Sequence, residues 1–135
     1  MPEALYPWMQ LIGRILFGLI FLNSGIGHLM KMDAMVGYAQ SKKVPLPQIG
    51  VPVSGLMILV GGVLIILGWH RFIGAGLLVI FLAPTAFIMH AFWKETDPMT
   101  RMGEMVHFLK DLGLAGAALL IAFWARYPWP LSLGG

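Results

Sequence analysis

Four long apolar stretches alternate with short polar connectors along the chain, and each approaches the roughly 20 residues that one membrane-crossing helix requires. The first runs from about Met9 to Met30, with Trp8 where an interfacial aromatic belongs and Lys31 at the far end. The second runs from about Ile49 to Gly68 and opens among Pro45, Pro47 and Pro52. Only Trp69, His70 and Arg71 separate it from the third, about Phe72 to Phe92, so these two must form an antiparallel helical hairpin. The fourth runs from about Met105 to Trp124 and stops before Pro128-Trp129-Pro130. The pattern predicts an all-α integral membrane protein, four transmembrane helices forming one compact bundle over residues 1–135. The N-terminus lacks a basic region and a small-residue cleavage site, so the first stretch is expected to stay attached as a signal anchor.

Four crossings place both termini and the His70 turn on one side of the membrane, here side A, and both longer connectors on side B. The first connector begins with Met32, Met35, Val36 and Ala39 at helical spacing beside polar neighbours, which predicts an amphipathic helix lying along the interface. The second, Trp93 to Glu104, reads as a loop or a short amphipathic turn. Arg14, Arg71 and Arg126 fall to side A, while Lys31, Lys42, Lys43, Lys94, Arg101 and Lys110 fall to side B, so the positive-inside rule makes side B cytoplasmic.

Composition narrows the chemistry. Charged residues make up 11% of the 135 positions against roughly 25% in soluble domains, and hydrophobic residues make up 59%, which leaves no room for a separate soluble domain. With no cysteine, thiol redox relays, Cys-ligated metal and covalent haem are excluded, so redox work needs a borrowed cofactor. The net charge of +3 reflects cations flanking the apolar stretches rather than a nucleic-acid footprint. Ten methionines are too scattered for a copper path and read as gap fillers.

Small residues, among them Gly18, Gly25, Gly55, Gly61, Gly62 and Gly74, allow close helix approach where lipid supplies no hydrophobic drive. In the first span Arg14, Gly18, Phe21, Gly25 and His28 share one face, because steps of seven residues drift only about 20° around a helix. The topology places His28, Lys31, His90, His107, Lys110 and Asp111 in one membrane layer near side B. Ionisable groups there are costly and usually pair or line a pathway. Lys31, Lys110 and Asp111 could form a network needing no ligand. Alternatively the layer is a pocket in which His28 and His90 donate to a quinone or lipid headgroup, Asp111 with Lys110 or His107 orients them, Ser24 flanks, and Phe21, Phe92 or Trp93 supply aromatic walls. The four His match no metal motif and stand too near helix ends for haem. Arg14, inside the first span near side A, reads as a structural or lipid anchor that reaches Glu3, carbonyls at the His70 turn, or a lipid phosphate.

Gly13-Arg14-Ile15-Leu16-Phe17-Gly18, Phe21-Leu22-Asn23-Ser24-Gly25-Ile26-Gly27-His28-Leu29, Val44-Pro45-Leu46-Pro47, Gly61-Gly62, Leu67-Gly68-Trp69, His90-Ala91-Phe92-Trp93 and Phe108-Leu109-Lys110-Asp111-Leu112 follow one another in an order and spacing that resembles the DoxX family of small four-span bacterial membrane proteins. The chain departs from the family pattern at His28, where Lys is common, in the second span, where a carboxylate is common, and at Asp111, where Asn is common. This suggests that a carboxylate has moved from the second span to the fourth, and that His28 meets Asp111 across the pocket. The resemblance implies a multi-pass protein of the bacterial inner membrane. Some relatives are tied to quinone-linked oxidation or membrane oxidoreductase complexes, and a wider set resembles assembly chaperones. The leading expectation is therefore a subunit or accessory of a membrane oxidoreductase, without an intrinsic cofactor, that binds a quinone-like amphiphile. The alternatives are an assembly protein packing against partner spans or copies of itself, and, third, a small transporter.

Overall fold

The computed structural model describes residues 2–134, and among these there are no strands. Helix α1 spans Tyr6–Met30, α2 Met32–Ser41, α3 Pro47–Leu67, α4 Arg71–Met89 and α5 Pro98–Trp124, with short 3-10 turns at Glu3–Leu5 and Phe92–Lys94. The four long helices are each long and apolar enough to cross a membrane, so the chain is a multi-pass membrane protein with α2 between the first two crossings.

The helices pack in the order α1, α3, α4, α5, with α2 against α3, and α1 and α5 make no comparably close backbone approach. Glycine explains the tight seams. A Cβ at Gly25 would stand 2.8 Å from the Gly55 carbonyl oxygen, and one at Gly61 would stand 3.1 Å from that of Gly74. Only hydrogen side chains let these backbones meet. The buried residues of α1 are Arg14, Gly18, Phe21 and Gly25, the face that the seven-residue spacing selects. Phe21, Ile58, Ile65 and Leu78 fill the middle of the bundle and are fully buried.

The turns follow local chemistry. Gly68 ends α3 in the left-handed region at φ 67°, donating to the Ile65 carbonyl while Trp69 donates to that of Leu64, which closes the helix end before α4 reverses. The second connector is shorter than the loop or short amphipathic turn expected over Trp93 to Glu104. Asp97 caps a helix that already begins at Pro98, and the Thr100 N–H and hydroxyl both donate to its Oδ2 at 2.9 Å. These bonds hold the Asp97 carboxyl below the ordinary carboxylate range. Asp at the cap and Pro at the first helical position are both favoured start signals, and they add about two turns to the fourth span at its side B end.

Candidate functional site

The side B ends of all five helices enclose a cavity of about 360 Å³. Ser24 and His28 reach it from α1, Met35 and Tyr38 from α2, Val51, Ser54 and Met57 from α3, Ile80, Phe81, Pro84 and Thr85 from α4, and Lys110 and Asp111 from α5, with His90 at its edge. Pro84 has no N–H for the Ile80 carbonyl four residues earlier, which weakens helix α4 where it forms the wall.

His90 is the centre of the polar end. It ends α4, where the helix gives way to the Phe92–Lys94 turn, so its side chain meets α5 rather than lipid. Its Nδ1 lies 2.7 Å from Glu104 Oε2, and its Nε2 lies 3.6 Å from Asp111 Oδ2. The first distance is a hydrogen bond to the carboxylate; the second is an ion-pair distance without one. Asp111 is only 5% exposed and has Lys110 Nζ at 3.7 Å. The His107 ring stacks on that of His90 with centroids 5.1 Å apart, and Lys110 Nζ donates to its Nδ1 at 3.5 Å. Glu104 extends the cluster outward. Lys42 Nζ stands 3.7 Å from Glu104 and 3.2 Å from Glu95, and the Tyr38 hydroxyl donates to Glu104 at 3.4 Å. Burial and the Glu104 carboxylate push the Tyr38 hydroxyl above its usual range. Burial disfavours the charge on Lys42, but the Glu95 hydrogen bond and the two carboxylates outweigh it and raise the amine.

His28 takes a different part from the donor expected of it. Its Nδ1–H donates to the Ser24 carbonyl at 2.7 Å, within α1, while its ring stands edge-on to Phe81 at 5.9 Å. In the neutral ring Nε2 is then an acceptor, so His28 offers the cavity a lone pair and donates only when protonated. The direct meeting of His28 with Asp111 is replaced by a shared cavity, in which Asp111 is held by His90 and Lys110. Lys31, His107 and Trp93 do not line this cavity. Lys31 is exposed at the end of α1. Trp93 joins Phe87, Phe92 and Phe108 in an aromatic cluster on the α4–α5 side, Phe21 belongs to the core, and the aromatic rings lining the cavity are those of Phe81 and Tyr38. Among the described residues no three His, Asp or Glu side chains converge as a metal ion would require.

Glu104, Lys42, Glu95 and Tyr38 were not legible as site residues. Glu104 had a usable signal, because a helix started at Asp97-Pro98 puts it three residues before His107 and seven before Asp111, on one face.

Among the described residues Arg14 hydrogen-bonds neither Glu3 nor a carbonyl of the His70 turn. Its Nη2 donates to the Leu131 carbonyl of the C-terminal tail at 2.6 Å, and its guanidinium lies 5.6 Å from the Trp129 ring centre. The tail returns across the α3–α4 turn, where the Leu133 N–H donates to the Leu67 carbonyl at 2.9 Å.

The DoxX family model matches residues 9–91. The chain is also 33% identical over 119 residues to Inner membrane protein YphA of Escherichia coli (strain K12), a match covering 88% of this chain and 84% of that protein. No solved structure matches it significantly. A family match over more than half the chain, joined to a relative aligned along nearly its whole length and to four membrane-crossing helices, places this chain in the DoxX family.

Proposed function

We propose that this DoxX-family protein resides in the bacterial inner membrane, holds a quinone-like amphiphile in the His90 cavity, and serves a membrane oxidoreductase as subunit or accessory. The observation that carries the reading is His90 itself, placed between Glu104 and Asp111 at the polar end of an otherwise apolar cavity. The volume falls in the range of about 300–1,000 Å³ typical of small-molecule sites, and apolar walls with a few convergent polar groups are the usual design. Val51, Met57, Ile80 and Phe81 suit a ring and its tail, while His90 and Lys110 can donate to carbonyl oxygens and His28 Nε2 can accept from a quinol hydroxyl.

A quinone would supply the electron-carrying ring; the chain's own residues bind it and handle protons. With both His neutral, the two lysines Lys42 and Lys110 face three carboxylates, Glu95, Glu104 and Asp111, so one proton on His90 neutralises the cluster. His90, Glu104 and Tyr38 then form a line of hydrogen-bonding groups from the cavity toward side B. Transport is the weaker alternative, since Phe21, Ile58, Ile65 and Leu78 fill the middle of the bundle.

The test is purification from native membranes in mild detergent, with mass spectrometry of bound quinones and lipids, beside a His28→Ala, His90→Ala double variant. Near-stoichiometric quinone in the native protein and its loss in the variant are expected. A quinone-free protein with a stable membrane-protein companion would replace this reading with that of an assembly partner.

A further inference from the structure

The polar groups that face the His90 cavity are mostly lone pairs. Asp111 lines the cavity and is 5% exposed, yet among the described residues its carboxylate accepts no hydrogen bond. The side-chain nitrogens facing it, His90 Nε2 at 3.6 Å and Lys110 Nζ at 3.7 Å, both stand beyond hydrogen-bond reach. Both Asp111 oxygens keep accessible surface, as does His28 Nε2. A buried carboxylate without a donor is costly, so what fills the cavity decides whether it is satisfied.

The neighbouring rings do not supply the missing donor. An ionised Glu104 and the Ser24 carbonyl only accept, so each takes the Nδ1–H of its histidine, and in the neutral rings both Nε2 atoms are lone pairs. His90 Nε2 then faces Asp111 Oδ2 with no proton between them. Protonating His90 turns its second N–H toward Asp111 and leaves His28 an acceptor still. On α3 the Ser54 hydroxyl donates its hydrogen to the Val51 carbonyl at 3.0 Å, so its oxygen offers the cavity only lone pairs. Against these acceptors stand Lys110, which is half-exposed, and the Ser24 and Thr85 hydroxyls, which serve either way. Charge points in the same direction. With both His neutral, Lys42 and Lys110 face Glu95, Glu104 and Asp111, so an electron-rich carbonyl oxygen meets net negative charge, whereas a hydroxyl brings a proton.

We infer, on the reading of this cavity as a quinone site, that it selects the reduced quinol over the quinone. A quinol hydroxyl donates to Asp111 beside His90, and His28 Nε2 is a further acceptor next to Phe81. Quinone and quinol share ring, size and tail, so the apolar walls hold both alike and the lone pairs decide between them.

The test titrates the full chain, in neutral detergent at pH 7 without oxygen, with a decyl-substituted benzoquinone or with its quinol, and reads each affinity from the thermal-unfolding midpoint. The quinol should bind about tenfold tighter, the scale of one hydrogen bond to a carboxylate. That ratio raises the midpoint potential of the bound couple by about 30 mV. Asp111→Asn, whose amide can donate, and His28→Leu should each bring the ratio toward one while the quinone still binds. Should Asp111→Asn misfold, His28→Leu and the native ratio decide. A quinone bound as tightly as the quinol, or a preference that survives the substitutions, would overturn the inference and leave the quinone site standing. No binding of either form would overturn both, and a midpoint raised by phosphatidylethanolamine in their place would give the acceptors to an ammonium headgroup.

Discussion

The two ends of the bundle bury charge in opposite ways. At side B, Lys42, Glu95, Glu104, His90, Asp111 and Lys110 form a chain in which each ionisable group faces another. At side A, Arg14 is buried as deeply as Asp111, yet the contacts it makes are a main-chain carbonyl and an aromatic face. A self-paired cluster holds together without outside help. Arg14 instead leans on a main-chain carbonyl and a ring face. The comparison teaches that burial alone does not say how a charge is held; the groups around it do.

The sharpest way to break this contrast is at Trp129. It is 7% exposed, its indole N–H donates to the Trp124 carbonyl at 3.1 Å, and both Arg14 and Arg71 lie over its ring. Trp129→Ala should cost about 3 kcal/mol, chiefly by undocking the tail, and leave the side B cluster intact. Reversible denaturation in detergent, with hydrogen exchange of the Leu133 amide as a local reporter, would read both effects.

Glu104→Ala attacks the other end. It removes a mostly buried carboxylate that accepts from His90 and faces Lys42, with an expected loss of about 2 kcal/mol, and hydrogen exchange should localise the loosening to α2 and the α4–α5 connection. Equal losses at both ends of the molecule would show that the two are one cooperative unit.

The smallest effect separates the ends by pH. The Lys42 amine is raised in the folded chain, so the stability it contributes is present below the ordinary lysine value and is lost as pH rises through the raised one. Above about pH 10 the α2–α5 contact should weaken in the native protein, while a Lys42→Met variant should keep only the part of that step that the Tyr38 hydroxyl contributes. Fluorescence of Trp129 should not follow this transition, because among the described residues no carboxylate–lysine pair holds the tail.

Much of the fold was legible because its cause is local. Mean hydropathy and length set the four spans, the apolar spacing of Met32, Met35, Val36 and Ala39 set α2, and the seven-residue spacing on α1 selected the buried face. The start of α5 was legible too, at Asp97-Pro98, but polar residues through Glu104 masked it, since hydropathy marks where a helix enters hydrocarbon and not where the helix begins. The partners of the site residues were harder. His28 turns its N–H to the Ser24 carbonyl within its own helix, and Trp93 turns to Phe87 and Phe108, choices made by rotamer and neighbour rather than by spacing.

The sequence by itself determined an all-helical DoxX-family membrane protein, the order of its crossings and the membrane layer in which His28, His90, Lys110 and Asp111 would fall. Periodicity and topology act along the chain and need no partner. Only the tertiary structure decided that Glu104 and Asp111 flank His90, that Lys42 reaches across from α2, and that the C-terminal tail folds back onto Arg14. Such contacts join residues as much as 117 positions apart, and their existence depends on how the glycine seams draw α1, α3 and α4 together while leaving α1 and α5 farther apart.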